Sequence, residues 1–126
     1  MINDSQFSWK KRAMAFVYAW KGLKALFRYE HNARIHLVAA VAAIAMGIWL
    51  NISAVEWCII AIVIASVISA EALNSAVEAL ADRISTEKHP LLGRAKDLGA
   101  AAVTLLAFMA IIVGCIIFIP KLYLLL

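Results

Sequence analysis

Residues 71–83, Glu-Ala-Leu-Asn-Ser-Ala-Val-Glu-Ala-Leu-Ala-Asp-Arg, follow directly on a largely apolar run at 57–70. On a helix with 3.6 residues per turn, Glu71, Asn74, Glu78 and Asp82 fall within a sector of roughly 80°, which forms one polar stripe along one face. A carboxylate near hydrocarbon is costly unless it is paired, protonated or bound to a cation. The polar stripe therefore predicts a functional site at one end of a membrane helix.

The composition excludes a water-soluble globular protein. Of the 126 residues, 65% are hydrophobic, and the mean hydropathy is +0.89, so the chain has too little polar surface to cover a soluble fold. We predict an all-α integral membrane protein with one domain over 1–126. A spanning helix needs roughly 20 residues. The predicted elements are a surface helix at 9–30, transmembrane helices at 33–51, 55–84 and 96–119, and a cytoplasmic hairpin at 85–94.

The segment before the first span has the pattern of an amphipathic helix that lies in the membrane interface. Apolar and aromatic residues recur at three- and four-residue steps between Ala13 and Phe27. Trp9, Trp20 and Tyr29 are of the types that favour headgroup depth. A soluble cytoplasmic helix is the alternative interpretation.

The distribution of basic residues predicts the orientation in the membrane. Seven of the twelve lie at or before residue 34, none lies at 51–56, and four lie at 83–96. The positive-inside rule then places the N-terminus and the second loop in the cytoplasm. The first thirty residues lack a continuous apolar core, so no cleavable signal peptide is expected. The net charge of +4 favours anionic headgroups and a polyanionic ligand such as a nucleotide, and nothing indicates a nucleic acid.

Depth along the helix separates the roles expected of the two glutamates in the polar stripe. A helix that enters the hydrocarbon near Val55 reaches the inner boundary close to Asn74, at 1.5 Å per residue and about 30 Å of hydrocarbon. Glu71 then lies just inside the apolar zone, where desolvation raises its affinity for a proton, as a general base for a hydroxyl group requires. Glu78 lies about 10 Å further along, in the headgroup layer, and with Glu30 it offers oxygen ligands to Mg²⁺.

Lys96 and Asp97 add a phosphate-directed cation and an acceptor at the start of the third span. The chain contains no Walker A sequence, no GxGxxG and no protein-kinase motif. Phosphoryl transfer needs mainly positioning, a metal, charge neutralisation and a base, all of which these acidic and basic residues can supply.

Several of these residues also have simpler interpretations. Asp82 can form a structural ion pair with Arg83 or Arg94. For His36, within the first span, a packed neutral imidazole or a headgroup contact is favoured over catalysis, and His89 in the hairpin can touch a nucleotide. Two other functions compete: a small ion-coupled transporter, whose acids should lie near mid-membrane, and a catalytically silent assembly protein whose polar stripe joins helices.

Five segments resemble those of the small prokaryotic membrane lipid kinases, the family that includes bacterial diacylglycerol kinase and undecaprenol kinase. They are YAWKGLK at 18–24, Glu30, EALNSAVEA at 71–79, DRI at 82–84 and GRAKDLGAAAV at 93–103. The match covers nearly the whole chain, and its central ExxNSAxEAxxDR pattern is highly specific.

The resemblance implies a homotrimer of three-span subunits with active sites shared between neighbours, and ATP as the phosphoryl donor. It makes Glu71 the catalytic base and Glu30 and Glu78 the Mg²⁺ ligands. The residues that it assigns to the nucleotide are Lys11, Tyr18, Glu30, Glu78, Glu87, His89, Lys96 and Asp97. Those that it assigns to the lipid are Lys24, Asn32, Arg34, Trp49, Glu71 and Asn74.

The chain departs from the family pattern at two positions. Lys11, with Arg12 beside it, stands where the family has an arginine, so either cation can contact phosphate. Lys88 replaces an aromatic residue of the diacylglycerol enzyme.

The segments at 32–37, 51–57 and 89–91 resemble the undecaprenol kinase branch more than the diacylglycerol branch. The resemblance thus implies ATP- and Mg²⁺-dependent phosphorylation of a lipid's primary hydroxyl at the cytoplasmic leaflet of the bacterial inner membrane. Undecaprenol is the expected substrate, and diacylglycerol is the alternative.

Overall fold

Four α-helices account for most of residues 7–126, the part of the chain that this computed structural model describes. Helix α1 runs over Trp9–Tyr29, α2 over His31–Leu50, α3 over Ala54–Ile84 and α4 over Pro90–Leu124. Helices α2, α3 and α4 are long and apolar enough to cross a membrane. The prediction of an all-helical membrane protein with three candidate spans is confirmed.

Helices α3 and α4 form the main pair of the fold, and α2 packs on them less extensively. Helix α1 contacts α2 and α3. A buried apolar cluster of Ile52, Ile60, Ile117 and Phe118 lies where the α2–α3 turn meets the end of α4. The packed core is therefore at the end of the bundle opposite the α3–α4 connection.

The break between α1 and α2 falls at Glu30, whose backbone is extended (φ −109°, ψ 115°). The guanidinium of Arg34 reaches back across this break. Its Nε donates to the carbonyl oxygen of Phe27 at 2.6 Å, and its terminal nitrogen donates to the carbonyl of Arg28. Since the last carbonyls of a helix have no partners within it, Arg34 fixes the end of α1 and with it the position of Glu30.

The turn between α2 and α3 is short and strongly specified. Asn51 ends α2 in the left-handed conformation (φ 52°), which asparagine tolerates better than most residues. Ser53 and Glu56 form a reciprocal capping box at the start of α3. Ser53 is therefore the N-cap that fixes the start of α3.

Helix α4 is longer at both ends than the sequence predicted. It begins at Pro90, so the non-helical connection is 85–89 and not the predicted 85–94. Proline is well suited to the first helical position, because its missing N–H would have no helical partner there. The predicted span ends at residue 119, but the helix continues through Pro120 to Leu124, since a proline this close to the end removes little of the hydrogen-bond ladder.

Two ion pairs join α3 to α4, one towards each end. Lys121 Nζ lies 3.0 Å from Glu56 Oε2, and Lys96 Nζ lies 2.5 Å from Asp82 Oδ1. The two helices are therefore antiparallel, with their register marked at both ends.

Candidate active site

Glu71 is the one buried charged side chain in the described part of the chain, with 3% of its surface exposed. His36 Nε2 on α2 lies 3.1 Å from Glu71 Oε1. The contact is not aligned as a hydrogen bond, and Oε1 has no hydrogen-bond partner within residues 7–126. A buried carboxylate oxygen without a donor is costly, so Oε1 is an acceptor that requires a hydrogen-bond donor or a proton.

Two further carboxylates lie close enough to Glu71 to act on its charge, and they are Glu30 and Glu78. Glu30 comes from the α1–α2 break and Glu78 from two turns further along α3. Both side chains are only partly buried. The two predicted metal ligands are therefore within electrostatic range of the predicted base.

Asn74 lies between the two glutamates of the polar stripe. Its Nδ2 lies 3.5 Å from Glu78 Oε1, and its Oδ1 is buried without a hydrogen-bond partner in the described chain. Gly99 of α4 faces this amide, and a Cβ at that position would overlap Oδ1 and approach Cγ to 3.2 Å. The close approach of α4 therefore depends on a glycine at this position.

Replacing Gly99 with alanine should displace Asn74 at a cost of about 1–3 kcal/mol in the free energy of unfolding from overpacking, offset in part by about 1 kcal/mol from helix propensity. Gly114→Ala in the same helix is the matched control, because no atom lies within 4 Å of its added Cβ. The free energy of unfolding of that control should rise by up to about 1 kcal/mol, because alanine has a higher helix propensity than glycine. Thermal unfolding in detergent measures both, and equal melting temperatures for the two variants would contradict this packing.

Four of the predicted nucleotide-binding residues line one cavity of about 690 Å³ beside the α3–α4 connection. These are Glu87, His89, Lys96 and Asp97. This hairpin cavity is open to solvent and polar on several sides. It has the residue types and the room to receive the phosphates of a nucleotide.

Two of these residues also hold the local structure. His89 is the N-cap of α4, and its Nδ1 accepts a hydrogen bond from Leu91 N–H at 3.2 Å. Lys96 is paired with Asp82, and both side chains remain substantially exposed. An exposed pair of this kind is weak, so Lys96 can exchange Asp82 for a phosphate.

The predicted residues of α1 lie on its exposed surface. Tyr18 is 62% exposed, with Lys21 Nζ 6.0 Å from its ring centre. Lys24 Nζ lies 5.7 Å from the ring centre of Trp20. Lys11 lies in the first turn, where its N–H approaches Ser8 Oγ. Within residues 7–126, neither Tyr18 nor Lys24 lines the hairpin cavity.

The predicted lipid-side residues are spread along α2. Asn32 is exposed near its start, and Arg34 is occupied by the carbonyls of α1. Trp49 is 66% exposed and lies 13 residues after His36, about 20 Å along the helix. The structure therefore does not bring Trp49 to Glu71.

An apolar cavity of about 330 Å³ is bordered by α2, α3 and α4, and His36 forms part of its wall. Its other lining residues are almost entirely aliphatic, including Ala39, Ala43 and Val67. A second cavity of about 680 Å³ lies between α1 and α3 and includes Glu30.

The oxygen donors around Glu71 fit a hard cation. Within residues 7–126 no preformed cluster of three His, Cys, Asp or Glu ligands exists. Mg²⁺ characteristically uses one or two carboxylates and completes its shell with water and substrate phosphates. Glu30, Glu78 and the unpartnered Asn74 Oδ1 are of the right chemistry for that arrangement.

The match to known proteins extends over most of the chain. Residues 17–118 match the family model described as prokaryotic diacylglycerol kinase. The chain belongs to the prokaryotic diacylglycerol kinase family. This membership confirms the predicted lipid-kinase class, and the matched range includes all the polar stripe and the hairpin cavity.

Individual relatives in the family carry two names. The undecaprenol kinase of Bacillus subtilis is 40% identical over 108 residues, covering 86% of this chain and 88% of that protein. The diacylglycerol kinase of Escherichia coli K12 is 41% identical over 100 residues, covering 79% and 82%. The diacylglycerol kinase of Haemophilus influenzae is 38% identical over 102 residues, covering 80% and 86%. Identity at this level does not separate the two lipid substrates.

Two contacts at the site were not expected for this kinase. His36 was expected to be a packed or headgroup-facing residue, yet it contacts Glu71. Asp82 pairs with Lys96, and not with Arg83 or Arg94 as the sequence suggested. The sequence contained one signal of the contact between His36 and Glu71, which is the presence of a histidine within an otherwise apolar run.

Proposed function

We propose that this protein transfers the γ-phosphoryl group of ATP to the primary hydroxyl of a membrane lipid, with undecaprenol as the favoured substrate and diacylglycerol as the alternative. The observation that carries the proposal is the buried Glu71 carboxylate, which interacts electrostatically with Glu30 and Glu78. Membership of a kinase family supports phosphoryl transfer as the reaction in which this acidic group takes part.

In the proposed reaction, Glu71 accepts the proton of the lipid hydroxyl while the oxygen of that hydroxyl forms a bond to the γ-phosphorus. The bond between that phosphorus and the β–γ bridging oxygen breaks, and ADP leaves. Such a reaction requires mainly alignment and charge neutralisation. Lys96 supplies a cation to the phosphates from the hairpin cavity.

Glu30 and Glu78 are the proposed ligands of Mg²⁺, which supplies neutralisation of the phosphate charge when bound. Their electrostatic interaction with Glu71 supports this role, since a cation held by these two carboxylates would also offset the charge near the base. Tyr18, Lys11 or Arg12, Glu87, His89 and Asp97 are the further proposed nucleotide contacts. Lys24, Asn32, Arg34, Trp49 and Asn74 are the proposed lipid-side residues.

We also propose that the active unit is a homotrimer in a bacterial inner membrane, with α1 as an amphipathic interfacial helix and the N-terminus in the cytoplasm. The exposed positions of Tyr18 and Lys24 support shared sites, since α1 of one copy can bring Tyr18 to the nucleotide, and Lys24 to the lipid, of a neighbouring copy. The many exposed apolar side chains on α2, α3 and α4 are compatible with lipid and with neighbouring subunits.

The decisive assay uses the purified protein in detergent with γ-labelled ATP and Mg²⁺. Undecaprenol and diacylglycerol are supplied in separate reactions, and labelled phosphate is followed into the lipid fraction. We expect label in lipid, with a higher kcat/KM for undecaprenol. Label in neither lipid would contradict the proposal, whereas a higher value for diacylglycerol would reverse the substrate assignment alone.

A further inference from the structure

We propose that His36 is a positioning residue for Glu71: it donates an N–H to one carboxylate oxygen and so leaves the other oxygen directed at the lipid hydroxyl. This inference rests on the proposed base role of Glu71. The histidine is not required to touch the substrate, and no proton transfer to it is needed.

The first support is the contact itself. His36 Nε2 lies 3.1 Å from Glu71 Oε1, with 23% of the histidine side chain exposed and only 3% of the glutamate. In the described chain no donor is aligned with Oε1, and the Nε2 of His36 lies within hydrogen-bonding distance of it. Catalytic hydrogen bonds are often misaligned before substrate binds and tighten in the reactive complex.

The second support is the charge around Glu71. Its other close ionisable neighbours, Glu30 and Glu78, are carboxylates, and an ionised carboxylate only accepts hydrogen bonds. A base in such surroundings needs a donor to hold its orientation. The imidazole of His36 can be that donor in either its neutral or its charged form.

The third support is the way α2 is built around the histidine. Ala33 and Ala40, three residues before and four after His36, are both buried, with 1% and 8% of their surface exposed. Residues at this spacing share one helix face. Small side chains on both sides of His36 permit α2 to approach closely, and the imidazole is thereby held against Glu71 on α3.

Besides Glu71, His36 also borders a cavity. Its side chain forms part of the wall of the apolar cavity bordered by α2, α3 and α4. A direct contact with the lipid is therefore the competing role. The two roles differ in kinetics, because a positioning residue affects kcat whereas a binding contact affects KM for the lipid.

The test compares His36→Leu, which removes the donor while keeping bulk, with His36→Gln, whose amide N–H has a similar reach. Full-length variants in detergent are assayed with Mg²⁺-ATP and undecaprenol or diacylglycerol, whichever the wild type prefers. We expect His36→Leu to lower kcat by about 10- to 100-fold, the effect of a misplaced catalytic group, with both KM values changed by less than about threefold. His36→Gln should recover most of the lost kcat.

Three outcomes would overturn the inference. One is a higher KM for lipid with unchanged kcat in His36→Leu, and another is equal impairment of the leucine and glutamine variants. The third is a double variant, His36→Leu with Glu71→Gln, that is much slower than Glu71→Gln alone, because a residue acting through Glu71 has nothing left to position there. Full turnover in Glu71→Gln would instead overturn the proposed base, so the two failures are distinguishable.

Discussion

Glu71→Gln is expected to lower kcat for lipid phosphorylation by about 10²- to 10⁴-fold, the usual contribution of a general base. The amide keeps the volume of the side chain but cannot accept the hydroxyl proton. The variant should fold normally, since it removes a buried charge that lies near Glu30 and Glu78. Its affinity for Mg²⁺-ATP should stay within about threefold of wild type, as expected for an interaction made mainly in the transition state.

The measurement is kcat with each lipid, together with nucleotide affinity from equilibrium binding. Glu56→Gln is a matched control on the same helix. Glu56 lies in the capping box of α3 and pairs with Lys121 at the opposite end. Glutamine can keep the capping box and a partly exposed ion pair contributes little, so this variant should stay folded and keep its kcat. Glu71→Gln with wild-type kcat would exclude the base role and favour an assembly role for the polar stripe.

Glu78→Gln should act on metal and nucleotide binding and much less on the base. Losing one of two metal carboxylates is expected to raise KM for Mg²⁺-ATP by about 10- to 100-fold, which corresponds to about 1.4–2.8 kcal/mol. Asn74 Nδ2 lies near Glu78 Oε1 and can turn to the amide oxygen of glutamine, so the local fold should persist.

Steady-state kinetics over a range of Mg²⁺ concentrations measure this effect, because excess Mg²⁺ should partly restore the rate of Glu78→Gln. The same excess should not restore Glu71→Gln. If both variants lost nucleotide binding equally and kept the same kcat, the division between base and metal ligand would be wrong.

The sequence predicted most of what depends on one helix at a time. Glu71 and Asp82 lie on one predicted stripe, and their burial follows the expected depth: Glu71 is enclosed, and the Asp82 side chain is 62% exposed. The three apolar helices and the Ser53 cap are local properties too, set by runs of hydrophobic residues and by hydrogen bonds across one turn.

Contacts between helices could not be predicted in the same way. Whether His36 faces Glu71 depends on the rotation of α2 about its own axis, which the nearly uniform apolar pattern of α2 leaves undetermined. The pairing of Asp82 with Lys96 depends on the register between α3 and α4, and the sequence places four basic residues at 83–96 that could serve as its partner. Trp49 lies far from Glu71 because it is 13 residues beyond His36 on α2, at 1.5 Å per residue. A family motif gives no such distance.

The ion pairs at the two ends of α3 and α4 imply a limit on membrane thickness. On α3 the paired residues Glu56 and Asp82 are separated by about 39 Å of helix, and on α4 Lys96 and Lys121 are separated by about 38 Å. These nearly equal lengths exceed a typical hydrocarbon thickness of about 30 Å by a small margin. Tilting of α3 and α4 together can match a thinner bilayer. In a bilayer much thicker than the distance between the two ion pairs, one ion pair would have to enter the hydrocarbon. The distance between the two ion pairs thus sets an upper limit on the hydrocarbon thickness that this protein can span without burying an ion pair in lipid.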